Sequence, residues 1–207
     1  MPSASTQDAI LAATEQLLRE RRLSELSVAE IIAAAGISRT SFYAYFGSKT
    51  AVVAECLRRV TGQVAVAVEP FLTEWEDGPE AAIRASLERW VQVCTVHGAL
   101  MRTVSEEWPH DEQLRALWSE ILAGFAAGTA RVIVSARASG QAPPGADPDA
   151  LAACLMWGYE RVLHLALVGE ARGLADPAQI VEPLAQLMVG SIFGRPTPAT
   201  GPSCPRR

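Results

Sequence analysis

SVAEIIAAAGISRTSFYAYFGSK, residues 27–49, reads as two short helices joined by a tight turn. Ser27 stands just ahead of an apolar run with Glu30 three residues on, which is the arrangement that satisfies free N–H groups at a helix start. Val28, Ile31 and Ile32 share one side of that helix. Gly36 ends it, because a left-handed residue costs glycine least. The next helix, expected over 39–45, begins after Ser38, and the pair makes a helix-turn-helix. Phe42 and Phe46, four residues apart, form the face that fixes this second helix to its domain.

The exposed start of the second helix has the chemistry of a DNA reader. Arg39 can fork to a guanine edge or clamp a phosphate, and Thr40 and Ser41 can donate to phosphate or touch a thymine methyl. Tyr43 and Tyr45 diverge by about 200° around a helix, yet both hydroxyls can reach a flanking backbone. Lys49, the only lysine in the chain, lies at the start of the following helix, where free N–H groups already attract phosphate. Residues 1–60 hold seven Arg/Lys against six Asp/Glu, whereas 61–207 hold eleven against seventeen. Only the N-terminal part is therefore expected to face an anionic partner.

The 207 residues, 49% hydrophobic and 20% charged with net charge −5, exclude a disordered chain and permit one or two modest domains. No apolar run free of charge approaches about 18 residues, and Met1–Gln7 has no basic start; neither a membrane span nor a signal peptide is expected. The cysteines at 56, 94, 154 and 204 are far apart, with no CxxC or CxxxC pair, so no metal site or disulfide framework is expected and the pattern suits a reducing cytoplasm. Helical spacing predicts nine helices, at 7–22, 28–35, 39–45, 48–76, 79–97, 99–107, 111–139, 147–171 and 177–193, with Asp147 and Asp176 capping the last two. The expected domains are 1–50, a DNA-binding head, and 51–193, a helical bundle; 194–207, with four prolines, is expected to be a flexible tail.

ISRTSFYAYFGSKTAVV, after a first helix of the type AILAATEQLLRE, resembles the signature of the TetR family of bacterial transcriptional repressors. That resemblance implies an all-α fold with a three-helix head and a C-terminal ligand-binding and dimerisation domain. It places DNA contacts on Arg39, Thr40, Ser41, Tyr43, Tyr45 and Lys49, with Ser27 and Ser38 as phosphate contacts at helix ends.

In the second half, Trp90 and Cys94 share a face of the fifth helix, Trp118, Ile121 and Phe125 a face of the seventh, and Met156, Tyr159 and Leu163 a face of the eighth. Facing apolar stripes of this kind make either a packed core or a ligand cavity. ALWSEILAGFAAGTARVIVSARASGQAPP and ALAACLMWGYERVLHLALVGE are similar to the branch of the family typified by EthR, which implies an apolar tunnel lined by Trp90, Cys94, Trp118, Phe125, Met156 and Tyr159. Met156 and Tyr159 stand where that branch has amides, and Gly128 where it has an aromatic. A less polar cavity of altered shape is implied, its polar grip reduced to one phenol hydroxyl. The last two helices, apolar on more than one side, are expected to form a homodimer.

The function read from all this is a repressor that binds a palindromic operator in double-stranded DNA and is released by a small hydrophobic effector, without a cofactor. The alternatives are an activator of the same type, or an all-α binding protein or enzyme using the cavity. No HExxH, GxSxG, P-loop or GxGxxG is present to support catalysis. A thiol sensor at Cys94 or Cys154 is a further alternative, disfavoured because both thiols have apolar neighbours in sequence.

Overall fold

The computed structural model describes residues 5–73, 75, 77–169, 172–174 and 176–194, and among them it holds nine α-helices, two 3₁₀ turns and no strand. The first three helices are α1 (Thr6–Glu20), α2 (Val28–Ala35) and α3 (Arg39–Tyr45), with a 3₁₀ turn at Leu23–Glu25 between α1 and α2. The other helices are α4 (Lys49–Thr73), α5 (Pro79–Val96), α6 (Gly98–Glu107), α7 (Glu112–Ala138), α8 (Pro148–Val168) and α9 (Val181–Ile192). Of the expected tail, 195–207 lie outside the described residues.

Helix starts follow from local chemistry. Ser5 with Asp8, and Ser27 with Glu30, close reciprocal capping boxes on α1 and α2. The Asp111 and Asp147 carboxylates accept the backbone N–H groups of Leu114 and Ala150 at 2.9 Å and so start α7 and α8. One expected helix is corrected. The span 177–193 is divided into a 3₁₀ turn, Pro177–Ile180, and α9. Pro183 has no N–H to give the Gln179 carbonyl, and its ring crowds that position, which favours its place in the first turn of a new helix over the interior of a longer one.

The head packs α1, α2 and α3 around Ile10, Leu11, Leu18, Ile31 and Phe42. Helix α4 belongs to it for its first three turns: Val52, Val53, Cys56 and Leu57 are fully or almost fully buried, and the Arg59 guanidinium pairs with Asp8 of α1 at 2.5 Å. The packed head therefore extends past residue 50, where the sequence places its end. Beyond Val60 the same helix runs on against α5 and α7. Head and bundle also meet at His97, whose Nδ1 lies 2.8 Å from Glu15 of α1.

In the bundle, α7 and α8 pack along each other, and each is long and apolar enough to cross a membrane by length and mean hydropathy. Here their apolar faces close the core through Leu114, Ile133, Leu155 and Leu163. The Tyr159 hydroxyl donates to the Leu184 carbonyl at 2.7 Å, and Arg84 pairs with Glu182, which attaches α9 to α8 and α5.

Gly36 at the end of α2 has φ +65°, with nothing within 4 Å of where a Cβ would stand. Replacing it acts on the backbone alone, so Gly36→Ala should destabilise the protein by about 1–2 kcal/mol, the cost of a left-handed L-residue. Urea unfolding followed by circular dichroism measures this, and an unchanged midpoint would mean that the turn relaxes to another conformation.

Candidate functional site

Phe42 is completely buried and Phe46 nearly so, and together they fix which side of α3 faces outward. Arg39 and Thr40 project from the first turn as exposed residues, and Tyr43 and Tyr45 are 47% and 52% exposed. The Arg39 guanidinium lies over the Tyr43 ring, 5.4 Å from its centroid, a contact that holds a flexible cation in place without satisfying its donors. Ser38 Oγ accepts the Ser41 N–H at 3.1 Å, and the two hydroxyls lie 2.9 Å apart. Ser27 Oγ is likewise in use, donating to Glu30 Oε2 and accepting the Glu30 N–H. Both serines thus define helix starts, leaving the remaining first-turn N–H groups free for an anion. The hydrogen bonds from Ser27, with the pairing to Arg21 at 2.8 Å, hold the Glu30 carboxyl down at about 2.

Lys49 has a different surrounding from the one its position suggests. Its ammonium donates to the backbone carbonyls of Leu23 at 2.6 Å and Leu26 at 2.7 Å, with Ser24 at 3.5 Å. The Leu23 carbonyl also accepts the Leu26 N–H that closes the 3₁₀ turn, and the Leu26 carbonyl lies just beyond that turn. In the chain alone, the Lys49 ammonium thus fastens α4 to the α1–α2 turn. A lysine 23 residues from its partner gives no local signal of this, since only the folded chain brings the two together.

In the bundle, Trp90, Cys94, Trp118, Ile121, Phe125, Met156, Tyr159 and Leu163 all line one cavity. It holds about 1030 Å³ of space free of protein atoms, its mouth included. The sequence reading missed an entire wall: Val60, Val64, Val68, Phe71 and Leu72 of α4 complete it. Their spacing of three and four was readable as a second apolar stripe. It also missed the polar lining residues Ser86, Ser105, Thr129, Glu160 and His164, which apolar periodicity cannot find. The Tyr159 hydroxyl, expected to grip a ligand, gives its proton to Leu184, and burial raises its pKa further above the usual phenol range.

Gly128 does not line the cavity. A Cβ there would meet the Leu72 side chain at 3.4 Å, so its role is to let α7 approach α4. Burial pushes the Cys94 thiol up to about 12, which keeps it protonated. Cys154, expected among apolar neighbours, is instead exposed on α8, because its turn of the helix faces away from the bundle.

Two families match the chain. Residues 10–56 match "Bacterial regulatory proteins, tetR family", and residues 81–194 match "Transcriptional regulator EthR, C-terminal domain". The chain is 33% identical over 187 residues to the HTH-type transcriptional regulator EthR of Mycobacterium tuberculosis, covering 90% of this chain and 86% of that protein. It is 30% identical over 194 residues to the EthR of Mycolicibacterium smegmatis, covering 93% and 89%. Among solved structures, the complex of SmeT with triclosan superposes with a TM-score of 0.74 at 22% identity, covering 98% of this chain and all of that one. SmeT is the repressor of a multidrug efflux pump of Stenotrophomonas maltophilia.

The two roles of Lys49 separate experimentally. Lys49→Met should lower stability by about 1.5–3 kcal/mol, the worth of hydrogen bonds to a charged group, while the slope of log Kd against log salt changes by much less than one. A slope reduced by about one at unchanged stability would return Lys49 to the phosphate backbone.

Proposed function

The chain belongs to the TetR family of bacterial regulatory proteins and carries a C-terminal domain of the EthR type, and on that premise we propose that it is a cytoplasmic repressor, active as a homodimer and released from its operator by a small apolar or amphipathic effector. One observation carries this reading. Helix α4 is at once part of the head core, through Val52, Val53 and Leu57, and a wall of the cavity, through Val64, Val68 and Phe71. A molecule entering between α5, α7 and α8 presses directly on the helix that shares the core of the head.

Arg39, Thr40, Ser41, Tyr43 and Tyr45 are the DNA-contacting side chains in this proposal, with Ser27 and Ser38 presenting helix ends to phosphate. Their support is exposure, partial at Ser41, on a helix whose other side is buried. The eight cavity residues predicted from sequence, with the α4 wall, receive the effector. Dimerisation uses the outer faces of α8 and α9. There Leu187 is 56% exposed and Leu151 and Leu165 are only partly covered in the single chain, apolar surface that a two-fold partner would bury. Two heads then meet successive major grooves about 34 Å apart. Release requires the effector to favour the head spacing that cannot bind DNA; equal affinity for both states would shift nothing.

Selection of genomic fragments on the purified protein at two salt concentrations should recover a palindromic site. Arg39→Ala should relax base preference within it and reduce the salt slope by about one. Sequence-independent retention that salt abolishes for every fragment would overturn the repressor reading. For the cavity, Met156→Trp should leave operator affinity within about twofold yet weaken effector-driven release by about tenfold or more, measured by fluorescence anisotropy of labelled operator. Unchanged release would place the effector elsewhere.

A further inference from the structure

The cavity wall is mostly apolar, with a few neutral polar side chains, and to it α8 contributes Glu160. Among the described lining residues it is the only acid, and it is 7% exposed. Oε1 accepts a hydrogen bond from Ser105 Oγ of α6 at 2.6 Å. Oε2 has only the Arg161 guanidinium at 3.9 Å, and that group is half exposed and so still solvated. His164, one turn further along α8, makes no ion pair with the carboxylate, and its Nδ1 is buried without a partner. One neutral hydroxyl and a distant, hydrated cation do not replace the water that a carboxylate gives up on burial.

We propose that Glu160 is the anchor for a protonated amine, so that the effector is an organic ammonium on an apolar or aromatic body rather than a neutral or acidic lipid-like molecule. This rests on the reading of the cavity as the effector site and names the chemical class it takes. An ammonium offers donors to Oε2 and cancels the buried charge; an alcohol offers one donor and leaves the charge, and a carboxylic acid is repelled. The Trp90 and Tyr159 rings, 6.4 Å apart in the same lining, offer aromatic faces of the kind that attract ammonium groups. Trp118 and Ser86 also line the cavity, and their Nε1 and Oγ atoms are buried without hydrogen-bond partners. The bond from Glu160 to Ser105 ties this anchor to α6, the helix that begins beside the His97 contact with the head.

The test compares three probes of one skeleton, 4-phenylbutylamine, 4-phenylbutan-1-ol and 4-phenylbutyrate, by calorimetry and tryptophan fluorescence on the full-length protein. The amine is expected to bind about tenfold or more tighter than the alcohol, with the acid weakest. Glu160→Gln keeps the shape and still accepts from Ser105; it should remove the amine's advantage and leave the alcohol within about twofold. Should that variant fail to fold, Ser105→Ala, which keeps the charge, should preserve the amine preference. Equal binding of amine and alcohol to the unmodified protein, or equal weakening of both by Glu160→Gln, overturns the proposal. If the alcohol binds and releases operator while the amine has no advantage, the effector site stands and the ammonium anchor falls. If none of the three binds to a protein that still retains operator, the cavity reading falls and the ammonium anchor with it.

Discussion

A single uninterrupted helix must satisfy two cores, and that constraint organises the molecule. From Lys49 to Thr73, α4 buries Val52, Val53, Cys56 and Leu57 against the head and then Val60 and Val64 against the bundle. An α-helix has no soft joint between those stretches: its hydrogen bonds fix their relative rotation and spacing. Pro70 is tolerated near its end because the N–H it lacks would have met the carbonyl of Val66, a largely exposed residue. Any change of packing at the far end is therefore carried to the near end as a rigid displacement, and the head must either follow it or loosen. The Lys49 ammonium on the Leu23 and Leu26 carbonyls, with Arg59 on Asp8, fastens the near end of α4 to the head.

The same rigidity keeps the cavity open. Long helices cannot bend inward to fill a gap without breaking their own hydrogen bonds, so bulky side chains at helical spacing meet around a space they do not fill. Close packing is concentrated at its borders, where Gly128 admits Leu72 and Tyr159 is tied to Leu184. An apolar space of this kind stays poorly hydrated and favours an apolar guest. Glu160 stands in that setting as a charge with incomplete compensation, and the energetic interest of the pocket lies there more than in its area.

Much of the architecture was legible in the chain because it is local. Ser27 with Glu30, Gly36, Ser38, Asp111 and Asp147 declare helix ends within four residues of themselves, and the three stripes on α5, α7 and α8 declare what faces inward. The split at Pro183 was equally local and was missed because apolar periodicity continues through it. The α4 wall escaped for another reason: a helix buried on more than one side must line whatever lies beside it, and only the folded chain shows what that is.

Sequence alone determined an all-α chain, a reading helix anchored by Phe42 and Phe46 that exposes Arg39, Tyr43 and Tyr45, and a set of apolar side chains sharing helix faces. Periodicity and capping encode those features over a few residues. Tertiary structure decided what distance in the chain conceals: that Lys49 meets Leu23 and Leu26, that Glu15 meets His97, that Ser105 meets Glu160, and that the facing stripes enclose a cavity instead of closing on one another. The three contacts join residues 23 to 82 apart in the chain. Polar partners and empty space have no period for a sequence to display.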